Sequence, residues 1–474
     1  MRFYFATIKY QTCLLAGFIL LSTNMSAIAK KSEVTMWQSD VIDVRYEHLE
    51  PSYWIEKLNT ADNVLMSQKQ IQTFNQDLLA NNQYVVDPLA VEPSFSKTQL
   101  LKKINSVSSQ PKSARYYADG RQLTDADFAK YFKNLNKVAV KESNLVQYGM
   151  VVSRAIMRAF PTHDRVFNKY MDTDLDRMQE TGVFPGDTLA VLHESTDGLW
   201  VLAQHYHYLA WVPKQAIAIG DKSAIRAYKN ADSFVVVTGG KVETNFVPNQ
   251  PQVSEIQLDM GTRLPLLDHK KVGNQVYGQN PYASYVVELP IRNKNGSLAF
   301  KTALIARHHD MHLGYLPMTK RHIIQQAFKF LGERYGWGHD YNGRDCTGFV
   351  GEIYKSFGLV MPRNSGQQGA GKYGLNTRFS KADLAPIKMD AVKQLQVGDL
   401  IYIPGHVMMA IGDDDGKAYV IHDVKGLGYT QADGSFYKGT LNGVSVTPLL
   451  PLSLSKNKSY LDTVYNFKRI HQSQ

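Results

Sequence analysis

One cysteine, Cys346, stands in a setting that suits a nucleophile. It lies in the stretch Arg344-Asp-Cys-Thr-Gly-Phe-Val, behind an acidic residue and at the start of a helical pattern. The other cysteine, Cys13, falls in an apolar N-terminal segment that is expected to be removed. A thiol at the N-terminus of a helix gains from the positive end of the helix dipole, which favours the thiolate. The pattern therefore favours nucleophilic catalysis, although a single cysteine can also be a buried hydrophobic residue.

A cysteine nucleophile needs a base, and two histidines are placed to serve it. His406 follows the turn Pro404-Gly405 and opens a strand, and His422 ends the next strand. A hairpin across 412–416 would bring the two rings together, so that one nitrogen of His406 faces Cys346 and the other faces His422. Because the chain has 14 histidines, spacing alone leaves both a catalytic and a structural role open.

These residues fall in the last of four regions that differ in their patterns. Residues 31–135 carry apolar positions at helical spacing, with Ser67 as a predicted helix cap. Residues 136–235 and 250–318 contain short runs of β-branched and aromatic residues divided by tight turns, which predicts two small β-barrels. Residues 319–474 mix helical and strand patterns, which predicts an α+β domain.

The N-terminus predicts export from the cytoplasm. Residues 1–29 combine a basic front, an apolar run at 13–21 and the small-x-small site Ala27-Ile-Ala29, as a cleavable signal peptide does. No later segment is long and apolar enough for a membrane span. The mature chain is therefore expected to be periplasmic or secreted, without a stable membrane span.

Composition is that of a globular chain, with 44% hydrophobic and 20% charged residues and a formal net charge of +10. Lysines and arginines are scattered without a basic stripe, so no nucleic-acid partner is predicted. Glycine motifs for nucleotides are absent. His308, His309 and His312 could ligate zinc, but no distant ligand matches them, and surface histidines are the preferred interpretation. The sequence thus predicts neither a metal nor a cofactor.

Four ordered segments resemble the NlpC family of cell-wall cysteine peptidases. Residues 335–350, Tyr-Gly-Trp-Gly-His-Asp-Tyr-Asn-Gly-Arg-Asp-Cys-Thr-Gly-Phe-Val, are similar to that family's active-site stretch, with threonine in place of its usual serine. Residues 359–367 resemble its Leu-Pro-Arg-x-Ser-x-x-Gln segment, and residues 397–403 and 405–411 resemble its Gly-Asp-Leu and Gly-His-Val segments. His422 falls where the family has the third, usually polar, catalytic residue.

The resemblance implies a papain-like fold, preceded by two SH3-like barrels and an N-terminal helical region, and acyl transfer through a thioester. Cys346 would attack an amide carbonyl, His406 would hold the proton, and His422 would orient His406. The implied substrate is a peptidoglycan stem peptide or muropeptide fragment, cut between γ-D-glutamate and the diamino acid at the third position.

The resemblance also implies a pocket for a free N-terminal L-alanine. Asp345 could pair with its ammonium, and Tyr335 could hydrogen-bond nearby. Thr347 and Ser365 match small hydroxyl positions that line the pocket, and Tyr208 of the first barrel resembles a tyrosine that closes it. Helix capping is the competing role for Asp345.

Two other functions remain open at this stage. The chain could be a non-catalytic wall-binding protein, although such a protein has no need of a lone thiol with two histidines. It could also be an amidase or acyltransferase on the same fold. Intact wall and recycled fragments are both open as substrates, the helical region is expected to brace the barrels against the last domain, and the protein is expected to be a monomer.

Overall fold

The computed structural model of the protein describes residues 37–380, 383 and 385–471. The predicted signal peptide, residues 1–29, lies outside the described residues. Within the described part of the chain, no helix combines the length and the apolar character needed to cross a bilayer.

The N-terminal region was predicted to be mostly helical, and its described residues, from 37 on, form four α-helices and three short strands. Ser67 caps the second helix as predicted, since its side chain accepts a hydrogen bond from the Gln70 N–H. The elements are α1 (Pro51–Glu56), β1 (Val64–Met66), α2 (Gln68–Asn81), β2 (Ser94–Ser96), α3 (Lys97–Val107), β3 (Tyr116–Tyr117) and α4 (Asp125–Asn134).

A seven-stranded antiparallel sheet follows, in the order β12-β5-β9-β10-β11-β6-β8. Its strands are short and rich in valine and alanine, and one group of them encloses an apolar core. The elements are β4 (Ser143–Leu145), β5 (Gln147–Val151), β6 (Ala155–Arg158), β7 (Val166–Phe167), β8 (Gln179–Val183), β9 (Thr188–Glu194), β10 (Trp200–Gln204), β11 (Leu209–Pro213), β12 (Ile217–Ile219) and α5 (Lys222–Lys229).

The next seven strands form three small sheets around one shared core. Each strand contributes an apolar residue to this core, so the region packs as one β unit. The elements are β13 (Phe234–Val237), β14 (Lys241–Glu243), β15 (Gln257–Asp259), β16 (Arg263–Pro265), α6 (His269–Val272), β17 (Ser284–Arg292), β18 (Leu298–Ala306) and β19 (Met311–Leu313). The limits of the two predicted barrels stay a prediction.

The C-terminal region is α+β, as predicted, with a six-stranded antiparallel sheet in the order β21-β28-β22-β23-β24-β25. The elements are β20 (Met318–Thr319), α7 (Lys320–Phe328), α8 (Cys346–Lys355), α9 (Ser365–Ala370), β21 (Leu375–Arg378), α10 (Ala385–Val392), β22 (Leu400–Ile403), β23 (His406–Asp414), β24 (Lys417–Thr430), β25 (Phe436–Pro448), β26 (Ser453–Ser455), β27 (Lys458–Ser459), α11 (Tyr460–Thr463) and β28 (Asn466–Arg469). Helices α7 and α8 pack on one face of this sheet through a common hydrophobic core.

The hairpin of β24 and β25 is longer than the sequence predicts. The predicted strands end at His422 and begin at Val444, whereas pairing continues to Thr430 and Phe436. Glycine and lysine interrupt the apolar pattern in this extension, but Leu427 and other apolar side chains pack into a second core of the same sheet. Tertiary packing therefore makes the hairpin longer than the strand propensity of its residues alone predicts.

Candidate active site

Cys346 is the first residue of α8, and the helix faces the start of β23. Asp345 caps the helix, since its side chain accepts a hydrogen bond from the Gly348 N–H. The Cys346 side chain is buried, with 7% of the residue exposed. The backbone N–H of Val407, directly after His406, hydrogen-bonds the sulfur. The fold thus brings the thiol to the strand that carries the predicted base.

The β23–β24 hairpin places the two histidines in contact, as its sequence predicts. Nε2 of His406 lies 2.9 Å from Nδ1 of His422. On the other side of the His422 ring, Nε2 lies 3.1 Å from Oγ1 of Thr447 on β25. Because His422 uses Nε2 of His406, Nδ1 is the nitrogen of His406 that is left for the thiol. The catalytic roles of the three predicted residues themselves stay a prediction.

The expectation of a lowered thiol pKa is wrong. Burial, together with the neighbouring carboxylate of Asp345, raises the pKa of Cys346 to about 12, which outweighs the Val407 N–H and the Arg363 charge. Burial also lowers the pKa of His406 to about 4, although Asp345 acts in the opposite direction. At neutral pH the resting pair is therefore a thiol and a neutral imidazole. The neutral form is the one in which the imidazole of His406 can accept a proton.

This electrostatic state predicts how the thiol reacts with alkylating reagents. The protein to use begins after the predicted leader, so that Cys13 is absent. The rate of Cys346 alkylation by iodoacetamide should rise about tenfold per pH unit from pH 6 to 9. The reason is that the thiolate fraction rises tenfold per pH unit as long as the pH stays below the raised pKa of the thiol. Mass spectrometry of timed samples measures the rate, and urea-unfolded protein is the control. A rate that stays constant between pH 5 and 8 would contradict the prediction, since it would indicate a thiolate held by an imidazolium.

Asp345 is engaged by protein groups on both carboxylate oxygens. Oδ1 accepts hydrogen bonds from the Gly348 N–H at 2.9 Å and from Thr347 Oγ1 at 3.0 Å. Oδ2 accepts from the Gly338 N–H at 3.1 Å and from Arg363 Nη2 at 2.8 Å. Although burial raises the pKa of Asp345, the Arg363 guanidinium and these donors hold it well below the usual range. The predicted pairing of Asp345 with a substrate ammonium stays a prediction, and the structure leaves it no unused oxygen.

Arg363 is a site residue that the sequence did not reveal. It is 3% exposed, and Nη1 and Nε donate to the hydroxyls of Thr347, at 2.5 Å, and Thr181, at 2.6 Å. Thr181 belongs to β8 of the first barrel, so this guanidinium ties that barrel to the cap of the catalytic helix. Thr347 is buried in this cluster instead of lining an open pocket.

A cleft of about 430 Å³ lies between the N-terminal region, the first barrel and α9. Tyr208, one of the predicted site residues, lines it and donates a hydrogen bond to Oε2 of Glu180. Burial raises the pKa of Glu180, although Tyr208 and Arg363 act in the opposite direction. Nothing in the local sequence around Glu180 marks it, because its contact with Tyr208 depends on the strand order β11-β6-β8, in which β6 separates the two strands.

Tyr335 and Ser365 are the two remaining residues of the predicted pocket. Tyr335 is buried, and burial raises its pKa, with added contributions from Cys346 and the two acids Asp345 and Asp423. Ser365 opens α9, and its carbonyl oxygen accepts a hydrogen bond from Tyr465. Asp423 follows His422 and is fully buried, and burial and nearby carboxylates raise its pKa well above the usual range. Burial therefore disfavours the charged form of the Asp423 carboxyl.

A buried ion network supports α8 from the side of the β unit formed by β13 to β19. Nε of Arg344 donates to Oε2 of Glu352 at 2.6 Å, and Nη2 donates to the Gly240 carbonyl at 2.9 Å. The other oxygen of Glu352 lies 3.1 Å from Nε2 of His339. His339 has a positive φ of 66°, a strained backbone for this residue that the surrounding contacts hold in place. Within the described residues, no group of three or more potential ligands is arranged to hold a metal ion.

Comparison with known proteins agrees with this architecture. Residues 332–446 match the NlpC/P60 family, and residues 165–213 match the SH3 domain of the SH3b1 type. The solved structure of an NlpC/P60 endopeptidase from Photobacterium damselae subsp. piscicida superposes with a TM-score of 0.70 at 18% identity, covering 89% of this chain and 96% of that one. The chain therefore carries a segment that matches the NlpC/P60 family, preceded by a segment that matches SH3 domains of the SH3b1 type, and the predicted papain-like fold class is confirmed.

Two curated relatives are informative about the class of chemistry. A gamma-D-glutamyl-L-lysine dipeptidyl-peptidase of Bacillus cereus is 28% identical over 250 residues, which are 49% of this chain and 65% of the relative. A probable endopeptidase p60 of Listeria seeligeri is 30% identical over 124 residues, which are 23% of this chain and 20% of the relative. The matches thus span less than two thirds of either relative's length.

Proposed function

We propose that the protein is a cysteine endopeptidase that cleaves the bond between γ-D-glutamate and the diamino acid in peptidoglycan stem peptides. The observation that carries the proposal is Cys346 at the start of α8, beside the strand on which His406 is hydrogen-bonded to His422. The name of the Bacillus cereus relative supports this class of bond. The predicted leader supports action outside the cytoplasm, in the periplasm or after secretion.

The first half-reaction forms a thioester. Nδ1 of His406 accepts the thiol proton of Cys346 as the sulfur attacks the γ-carbonyl carbon of D-glutamate. The oxyanion that forms is stabilised by the Cys346 backbone N–H, since a first-turn N–H has no carbonyl partner within its helix. The C–N bond then breaks, and His406 returns the proton to the leaving amine of the diamino acid.

The second half-reaction consumes water. His406 takes a proton from a water molecule, the hydroxide attacks the thioester carbonyl, and the C–S bond breaks. The thiolate of Cys346 recovers its proton from His406, which restores the resting neutral pair. The products are L-Ala-γ-D-Glu with a free γ-carboxyl group and a peptide that begins with the diamino acid. His422 orients His406 in both steps.

The free amine of the substrate's L-alanine is recognised by Glu180 and Tyr208. Burial disfavours the charged form of Glu180, so an ammonium bound against it supplies the missing countercharge. Tyr208 already fixes one carboxylate oxygen. Because Asp345 is neutralised by Arg363, we assign the amine to Glu180 and give Asp345 the role of positioning α8.

The walls of the cleft favour short, freed peptides. Gln83 and Tyr84 of the N-terminal region line the same cleft as Glu180, and so does Asn364, which caps α9. The N-terminal end of a peptide whose amine reaches Glu180 would therefore lie among side chains from two regions of the chain, which leaves little room for a longer polymer. We propose recycled or released fragments as the substrate, with low activity on intact wall.

The test is hydrolysis of L-Ala-γ-D-Glu-diaminopimelate and its N-acetylated form, with products identified by mass spectrometry. Wild-type protein should release L-Ala-γ-D-Glu from the free amine at least ~100-fold faster, because acetylation removes the charge that pairs with Glu180. Glu180→Gln should lower kcat/KM for the free amine ~10–100-fold, and leave slow cleavage of the acetylated peptide unchanged. Glu194→Gln is the matched control, since Glu194 forms an exposed ion pair with Lys214.

The outcomes separate the parts of the proposal. Equal cleavage of both peptides would keep the endopeptidase and remove the amine role of Glu180. Equal losses in Glu180→Gln and Glu194→Gln would indicate a general effect of removing a carboxylate. No cleavage of either peptide by wild-type protein would overturn the short-peptide substrate.

A further inference from the structure

A third group extends the pair of histidines, and the sequence did not single it out. His406 Nε2, His422 Nδ1, His422 Nε2 and Thr447 Oγ1 form one line of contacts, with distances of 2.9 Å between the rings and 3.1 Å to the hydroxyl. His422 is 1% exposed and Thr447 is fully buried. Since both are shielded from solvent, the hydroxyl is the hydrogen-bond partner of His422 Nε2.

The β24–β25 register accounts for this contact. Val420 pairs with Thr447, and His422 pairs with Ser445. His422 and Thr447 are therefore diagonal neighbours on one face of the sheet, close enough for a side-chain contact. Ser445 lies directly opposite His422, but its hydroxyl donates to the Gly443 carbonyl, so Ser445 makes its hydrogen bond elsewhere.

The tautomer of His422 decides whether His406 can act as a base. A neutral His422 carries one N–H. If the hydrogen is on Nδ1, it donates to His406 Nε2, and the proton of a neutral His406 must then sit on Nδ1, where it blocks transfer from Cys346. If the hydrogen is on Nε2, then Nδ1 of His422 accepts from His406, and Nδ1 of His406 is unprotonated.

The same choice is enforced after proton transfer. Once His406 holds the thiol proton, both of its nitrogens carry hydrogen, and only a His422 with a bare Nδ1 avoids placing two hydrogens against each other. That tautomer points its Nε2–H at Thr447, and a buried N–H without an acceptor is costly. A hydroxyl accepts this hydrogen, whereas a methyl group of the same size does not.

We propose that Thr447 is a positioning residue, whose hydroxyl accepts the Nε2–H of His422 and thereby stabilises the tautomer that leaves Nδ1 of His406 free for the proton of Cys346. The proposal rests on the cysteine-peptidase function proposed above. It assigns to Thr447 no contact with the substrate. The hydrogen bond to His422, and not the volume of the side chain, is what the role requires.

The test compares Thr447→Val, which keeps the shape and removes the acceptor, with Thr447→Ser, which keeps the hydroxyl. Thr447→Val should lower kcat for the free tripeptide ~10–100-fold, with KM within about threefold of wild type, because a wrong tautomer removes the base and not the binding site. Thr447→Ser should stay within about threefold. Ser445→Ala, the matched control on the same strand, should also retain wild-type kinetics.

A second readout does not depend on turnover. Nitrogen-15 NMR of histidine-labelled protein, with His422 assigned by its loss in His422→Gln, reports which ring nitrogen carries the hydrogen. Wild type and Thr447→Ser should show His422 protonated on Nε2, and Thr447→Val should show it protonated on Nδ1. This spectroscopic change is not expected from a merely structural role.

The two readouts distinguish failure of this inference from failure of the proposed function. Wild-type kcat in Thr447→Val, or an unchanged His422 tautomer in that variant, would overturn the role of Thr447 while the peptidase stands. A tautomer change in a protein that cleaves neither tripeptide would support the role of Thr447 and overturn the proposed substrate. If Thr447→Val does not fold, a Thr447→Ser variant with low kcat or with His422 protonated on Nδ1 would overturn the inference.

Discussion

Replacing Cys346 with alanine is expected to abolish hydrolysis of L-Ala-γ-D-Glu-diaminopimelate, with kcat/KM lowered at least ~10⁴-fold. In the proposed reaction the sulfur is the atom that forms the thioester, and the other cysteine of the sequence, Cys13, lies in the predicted leader. Removal of the base or its orienting partner leaves the nucleophile in place, whereas this change removes the acyl acceptor itself. The measurement is release of L-Ala-γ-D-Glu, followed by mass spectrometry over hours at high enzyme concentration.

Binding should survive the loss of the nucleophile. Calorimetric titration of Cys346→Ala with the free tripeptide should give a binding constant like that of Cys346→Ser, because Glu180 and Tyr208 are untouched. Cys346→Ser is the matched control for packing, since it keeps the side-chain volume in the buried site but replaces the thiol with a much weaker acid. Turnover above about 1% of wild type in the alanine variant would contradict the assignment of Cys346 as nucleophile.

Local sequence patterns were sufficient to predict the contacts between site residues that lie close together in the chain. Helix capping is the competing role that the sequence leaves open for Asp345, because an acidic residue precedes a helical apolar pattern, and the structure places it at the cap. The contact between His406 and His422 was predictable because two short strands joined by a glycine-rich turn must pair as a hairpin. In both cases the partners are fixed by backbone geometry within a few turns or one hairpin.

The parts that were missed depend on packing between distant segments. Glu180 meets Tyr208 across the first barrel, and Arg363 reaches Asp345 and Thr181 from two different regions. The wrong expectation for the thiol pKa has the same origin. A helix dipole can be inferred from a local pattern, but the burial that outweighs it depends on the hydrophobic core into which Cys346 packs.

Replacing Arg344 with methionine is expected to destabilise the fold far more than the loss of an exposed ion pair would. Arg344 is fully buried, and its guanidinium contacts the carboxylates of Glu352, Glu333 and Asp259, with Asp259 Oδ1 at 3.3 Å. Breaking a buried ion pair by removing one partner costs ~3–5 kcal/mol, because it leaves uncompensated buried charge. The midpoint of urea-induced unfolding, followed by tryptophan fluorescence, measures the effect.

Arg334→Met is the matched control, since the same chemical change is made at an exposed position. The Arg334 side chain is 58% exposed and pairs with Asp174 at 2.5 Å, and exposed pairs contribute about 1 kcal/mol or less. The unfolding midpoint of Arg334→Met should therefore stay near that of wild type. Similar midpoints for the two methionine variants would contradict the assignment of Arg344 as the charge that the buried network requires. If Arg344→Met does not fold, Arg344→Lys should fold with an intermediate midpoint, because it keeps the charge and loses the planar fork of donors.

Replacing Arg344 with methionine should also change the reactivity of the Cys346 thiol. Glu352 binds Arg344 through one oxygen and His339 through the other, and His339 lies against Gly348 in the first turn of α8. Without Arg344, the Glu352 carboxylate must find another cation or take up a proton, and either change alters its contact with His339. At urea concentrations below the unfolding midpoint of Arg344→Met, Cys346 of this variant should therefore be alkylated faster than Cys346 of wild type at pH 7. The alkylation rate of Arg334→Met should equal that of wild type. An unchanged alkylation rate in a destabilised Arg344→Met would confine the network to a structural role.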